Sequence, residues 1–293
     1  MKNADALSRR HPLVCFVYFA LVLAFSALFL HPLSLAISLV CALWYALCLN
    51  GRRALRQMAY ILPAALFAAA VNVLFNHAGV TVLGYLPSGN PLTLESLAYG
   101  GAAAAMLAAV LLWFSCCTRV LTSDKLTLLL GRIAPYLSLL LAMILRFVPL
   151  LARRFRAAAE AQRCAGRLEE GSGFRARVRN SAAVFSAVLS WTLEGAADTA
   201  DSMRARGYGL SGRTAFSPAR FTLPDAAALA WMAFCAAVLL IAAAAGRLSW
   251  RYYPALAGEL PIPCAAAFAA LCLTPILLNG WEVWLWKRSA SKI

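Results

Sequence analysis

Pro135-Tyr136-Leu137-Ser138-Leu139-Leu140-Leu141-Ala142-Met143-Ile144-Leu145-Arg146-Phe147-Val148-Pro149-Leu150-Leu151-Ala152 runs directly into Arg153-Arg154-Phe155-Arg156. The eighteen residues before Arg153 are apolar enough to pass for a membrane span. If they crossed, every arginine from Arg153 to Arg220 would change sides. Arg146 would also lie in hydrocarbon, at a cost of roughly 3 kcal/mol near the bilayer centre. The physical reading is a helix that packs against the inner face of a helical bundle or lies in the interface. That reading fixes the rest of the topology.

Around this stretch, 62% of the 293 residues are hydrophobic and 13% are charged. Soluble domains carry about a quarter charged residues, and one soluble core could not absorb so much apolar surface. The same numbers exclude disorder, coiled coil and disulfide scaffold. Apolar runs over about 12–30, 33–50, 58–77, 97–118, 225–245 and 262–286 predict six spans. Lys2, Arg9 and Arg10 precede the first, which reads as a retained span because no small-residue cleavage site is evident and another span follows at once. His31-Pro32 makes a tight turn between the first two.

The net charge is +15. Three basic residues lie in the N-terminal tail, three at Arg52, Arg53 and Arg56, sixteen from Arg119 to Arg220, and three at Lys287, Arg288 and Lys292. Only Arg247 and Arg251 fall in the intervening loops. The positive-inside rule therefore predicts cytoplasmic termini and a cytoplasmic central segment in a plasma-membrane protein. Because the charge follows membrane sidedness, it argues against a nucleic-acid partner.

Residues 78–96 predict a short external hairpin, with Gly and Pro supplying turns. The following span carries Gly100, Ala104 and Ala108, and Gly101, Ala105 and Ala109, each at four-residue spacing. This pattern lets helix backbones approach closely. It serves packing within the chain or a docking face for a membrane partner. Trp281, Trp284 and Trp286 form an aromatic belt at one end of the last span. The nine cysteines form no CxxC pair and read as apolar filler, and the three histidines are far apart.

Three helices are predicted in residues 119–220, at about 123–132, 135–167 and 175–207. The second ends in Arg163-Cys164-Ala165-Gly166-Arg167 and the third in Arg204-Ala205-Arg206-Gly207. Glycine is a helix stop signal. Arginine suits the partly negative C-terminal end of a helix and can offer its fork to a carboxylate on another protein. Alternatively, these arginines cap their own helices or face anionic lipid. Glu194, Asp198 and Asp201 share one helix face, read as a solvated face with Asp201 beside Arg204. No phosphate-binding loop or nucleophile motif is present. The expected fold is an all-α polytopic membrane protein with about six transmembrane helices and long cytoplasmic coupling helices. It divides into an N-terminal membrane domain at 1–118, a coupling segment at 119–220 and a C-terminal membrane hairpin at 221–293.

The chain resembles the transmembrane T component of energy-coupling factor (ECF) vitamin and metal transporters. The resemblance runs from about residue 72. It covers Pro91-Leu92-Thr93-Leu94-Glu95, Thr122-Ser123-Asp124-Lys125, Arg146-Phe147-Val148-Pro149, Ala161-Gln162 with Gly166, and Met203-Arg204-Ala205-Arg206-Gly207-Tyr208-Gly209. It implies a non-catalytic subunit between two cytosolic ABC ATPases and a substrate-binding membrane S component, taking up a vitamin, metal ion or other micronutrient. The chain itself would bind no cofactor, metal or ATP, since the partner subunits hydrolyse the ATP. Two coupling helices would dock in ATPase grooves, through Arg163 to Arg167 and through Ala205, Arg206 and Gly207. Arg146 and Pro149 would be structural in the first coupling helix. In the first motif Ala165 stands where the family has arginine, and Arg163 and Arg167 flank it as substitutes. The rival readings are a membrane-embedded prenyl- or phosphatidyl-transferase and a stand-alone transporter. The first lacks acidic metal motifs beyond the fragment at Asp198 to Asp201. The second would usually place charge within its spans, where only Asn72, Asn76 and Glu282 stand out.

Overall fold

Apolar runs bounded by proline and glycine become helices in the computed structural model. It describes residues 6–76, 78–85, 91–166, 173–210, 221–248, 250–254, 256–258 and 261–290. The helices are α1 (Ala6–Arg9), α2 (Pro12–Leu28), α3 (Pro32–Asn50), α4 (Arg52–Phe75), α5 (Leu94–Val120), α6 (Ser123–Ile133), α7 (Pro135–Cys164), α8 (Phe174–Ala205), α9 (Leu223–Ala244) and α10 (Ile262–Ala290). The strands β1 (Val82–Tyr85) and β2 (Pro91–Thr93) pair antiparallel, in the segment where a hairpin was expected. The chain forms two compact units, one of residues 1–122 and 219–293 and the other of residues 123–218.

In the first unit, α2, α3, α5, α9 and α10 enclose a core whose largest members are Trp113, Tyr18, Tyr45 and Phe19. Its polar atoms are paired, as burial demands. The Trp113 Nε1–H donates to Ser38 Oγ at 3.1 Å, and Ser38 lies 2.7 Å from Ser26 Oγ. The Tyr18 hydroxyl donates to the Cys272 carbonyl at 3.2 Å, joining α2 to α10. Part of the small-residue stripe of α5 is spent on packing. A Cβ at Gly100 would lie 3.1 Å from the Ala69 carbonyl of α4, and Ala108 and Ala109 are buried.

The connections of this unit gather at two ends. At one, Tyr252 donates to the Leu30 carbonyl at 2.5 Å, the Asn76 amide donates to the Tyr253 hydroxyl at 2.9 Å, and His31 meets the Trp250 ring edge-on at 4.7 Å. At the other, the Ala6 N–H donates to Asn279, Arg119 to Asn50, and Arg10 faces Asp225 at 3.8 Å. The alternation of helix direction follows from these contacts.

Among the described residues, six helices are long and apolar enough to cross a membrane. They differ from the six read from sequence in one member. Pro135–Cys164 qualifies, and Pro12–Leu28 falls short at 17 residues. Length and apolarity take no account of Arg146 or of the charge beyond it. Conversely, α2 is a core helix of the first unit, with eight buried residues. In the second unit α6, α7 and α8 pack together. The Ser138 hydroxyl donates to the Thr127 carbonyl at 2.8 Å, and the Arg154 guanidinium lies 5.1 Å above the Trp191 ring.

Candidate docking motifs at two helix ends

The 30-residue α7 begins with Pro135 at its first turn, where the missing N–H costs nothing. Arg146 and Pro149 both lie in its exposed surface. Pro149 cannot donate to the Leu145 carbonyl, which loosens the helix there. The Arg146 side chain has no hydrogen bond or ion pair among the described residues.

At the end of α7, Ala165 is the C-cap and Gly166 follows at φ +65°. The Gly166 N–H donates to the Arg163 carbonyl at 3.0 Å. At the end of α8, Arg206 is the C-cap and Gly207 follows at φ +73°. The Gly207 N–H donates to the Arg204 carbonyl at 2.9 Å, and the Tyr208 N–H to the Met203 carbonyl at 3.1 Å. Together these bonds make a Schellman cap, which needs a left-handed residue next to the cap. Both predicted stops at Gly166 and Gly207 therefore have a shared backbone cause.

Alignment on the two glycines shows what the motifs share. Arg206 occupies the cap position, and Ala165 occupies it at the first motif. Arg163 corresponds to Arg204, three residues before the glycine. Arg163, Cys164, Ala165 and Gly166 are exposed, as are Ala205 and Arg206, and Gly207 is half-buried. Arg167 lies outside the described residues. Arg204 reaches Asp201 at 3.8 Å, in a pair exposed on both sides. Arg206 and Arg163 have no side-chain partner among the described residues. Each helix end thus presents a rigid cap with an uncommitted guanidinium, at the cap in one and two residues earlier in the other.

A family model described as CbiQ, cobalt transport protein, matches residues 4–216. The chain belongs to the CbiQ family. It is a T component of ECF transporters, and so a non-catalytic, multi-pass membrane protein. The CbiQ match starts well before the motifs that carried the resemblance, and it stops short of α9 and α10. No curated protein matches this chain.

Sequence reasoning missed the buried Arg10–Asp225 pair, in which the Asp225 side chain is 4% exposed. Its local signal was present, because Thr222 and Asp225 form a reciprocal capping box at the start of α9. The partner 215 residues away had none. Glu95 was seen only as part of a motif. It is 2% exposed and accepts from the Thr81 hydroxyl at 2.9 Å and the Thr81 N–H at 3.2 Å, which ties the hairpin segment to α5.

Proposed function

We propose that this T component couples two cytosolic ABC ATPases to a membrane S component that binds the substrate. Both termini and the unit of α6, α7 and α8 lie on the cytoplasmic side. The 25-to-2 division of basic residues supports this orientation. In this reading the ends of α7 and α8 sit in acidic grooves of the two ATPases. Closure of the ATPase pair on ATP moves the two helices, and they reorient the S component for inward release. The family description points to cobalt as cargo, and other micronutrients fit the same scaffold.

The observation that carries the proposal is the pair of exposed, glycine-capped helix ends, with Arg206 uncommitted and Arg204 engaged. A second supports it. Leu137, Ile144 and Val148 of α7, and Phe185, Leu189 and Leu193 of α8, are exposed apolar residues. Such surface calls for cover by a membrane partner or lipid. The test is copurification of the ATPases with the chain. Arg206→Glu should abolish it at matched membrane expression, and full retention refutes the docking role.

A further inference from the structure

The pairing of α7 with α8 rests on little buried surface. Among the described residues, α7 buries none of its 30 residues and α8 buries two, Val184 and Val188. Val184, Val188, Trp191 and Gly195 fall at i, i+4, i+7 and i+11, so they share one face of α8. Phe147, Leu151, Arg154 and Ala158 repeat that spacing on α7, and all four are half-buried. One charge therefore sits in two otherwise apolar rows. The Arg154 guanidinium lies 5.1 Å above the Trp191 ring. A Cβ at Gly195, one turn on, would come 4.0 Å from its Nη1. No carboxylate pairs with Arg154 among the described residues.

The chemistry of this contact suits it to setting an angle. Apolar contact is non-directional, so two valines alone let the helices slide and turn. A planar cation stacked on an indole face holds a defined orientation. Its place in the helices magnifies that effect. Arg154 stands about 16 Å along α7 from the cap at Ala165, and Trp191 about 22 Å along α8 from the cap at Arg206. A turn at the crossing therefore becomes a larger displacement at the caps. Two motifs held at a fitting separation engage as one body, and the second docks at high effective concentration. If the separation wanders, that gain is lost with both motifs intact.

We propose that Arg154 and Trp191 are positioning residues that fix the crossing of α7 and α8, and with it the separation of the two docking ends. The part played in docking rests on the reading of function above. The fixed crossing can be measured without the ATPases.

The first measurement uses the full chain in detergent, spin-labelled at Cys164 and at Ser202→Cys, with the other eight cysteines replaced. Double electron–electron resonance should give one narrow distance distribution. Arg154→Ala and Trp191→Ala should broaden it. Arg154→Lys and Trp191→Phe keep a cation over a ring and should preserve most of the narrow peak. Unchanged widths in both alanine variants overturn the proposal. If Trp191→Ala fails to fold, Arg154→Ala decides alone. The second measurement is the affinity of the chain for the ATPase pair. Arg154→Ala should weaken it about tenfold through lost avidity. In an Arg206→Ala background the same change should cost no more than about twofold, because one motif leaves nothing to coordinate. An equal factor in both backgrounds makes Arg154 a direct contact or a folding residue and rejects positioning. Loss for Arg206→Ala with full affinity for Arg154→Ala rejects this proposal and leaves the docking reading standing. Full affinity for Arg206→Ala removes the docking reading and the positioning role with it.

Discussion

Arg204 and Arg206 carry the same charge two residues apart on one helix end, and the structure separates them. Arg204 spends its guanidinium on Asp201, a surface pair worth at most about 1 kcal/mol. Arg206 sits on the cap, and its fork has no partner among the described residues. Removing one partner of a buried charge pair costs roughly 2–5 kcal/mol, so docking through Arg206 should weaken about 30-fold or more on Arg206→Ala. Arg206→Glu should do more damage, since it sets like charges together. Arg204→Ala should change ATPase copurification by no more than a few-fold. Equal losses for the two would reduce the effect to bulk charge. Arg163→Ala tests the first motif: its loss should weaken docking if it replaces the arginine absent at Ala165. The two helix ends were legible because glycine stops a helix and arginine suits its C-terminal end. The commitment of Arg204 was foreseen from its spacing to Asp201. The equivalence of Arg163 with Arg204, and not with Arg206, needed the cap geometry.

Helix ends and turns are where the elements can be tested. Gly207 holds φ +73°, and a Cβ there would come 3.2 Å from Leu210 Cδ1. A left-handed non-glycine residue costs about 1–2 kcal/mol. Gly207→Ala should therefore unwind the last turn of α8 and displace Arg206. The expected result is weakened ATPase copurification with Arg206 intact, and hydrogen exchange should show faster amides at 203–208. The α2–α3 turn offers a pH test. His31 caps α3, and its Nδ1 accepts the Leu33 N–H at 3.1 Å. Burial lowers the pKa of His31 below its ordinary value of about 6.5. The folded state then binds fewer protons than the unfolded one, so this contribution is complete above about pH 6.5 and declines as pH falls below it. Protonation also removes the acceptor, a bond worth about 1 kcal/mol. Thermal unfolding in detergent at pH 7.5 and 5.5 should show a smaller acid loss for His31→Ser, which keeps a capping oxygen that does not titrate. Equal acid losses in both proteins contradict this. Helix boundaries were legible to within a few residues wherever proline or glycine marked them, as at Pro135, Gly166 and Gly207. The Arg10–Asp225 pair was not. It joins segments distant in sequence, and local periodicity carries no term for that.

At the scale of the whole molecule, the question is which side α7 and α8 occupy, and it turns on the stretch that begins at Pro135. Pro135–Cys164 satisfies length and apolarity for a span. Crossing would carry the twelve arginines from Arg153 to Arg220 outward, and it would place Arg146 in hydrocarbon at roughly 3 kcal/mol near the centre. Remaining on the inner side keeps 25 of 27 basic residues together. Cys164 reads this out directly, because it is exposed at the end of α7. Cys48 is also exposed, so the experiment needs a background stripped of the other eight cysteines. A membrane-impermeant maleimide should then label Cys164 in inverted vesicles and not in intact cells. Arg251→Cys in the same background reports the opposite face and should label in intact cells. Labelling of Cys164 from outside overturns the six-span reading, moves α8 and Arg206 away from any cytosolic ATPase, and removes the docking mechanism with them. Inside-only labelling leaves α7 as a helix whose apolar residues meet a partner or the membrane interface, which is the arrangement coupling requires.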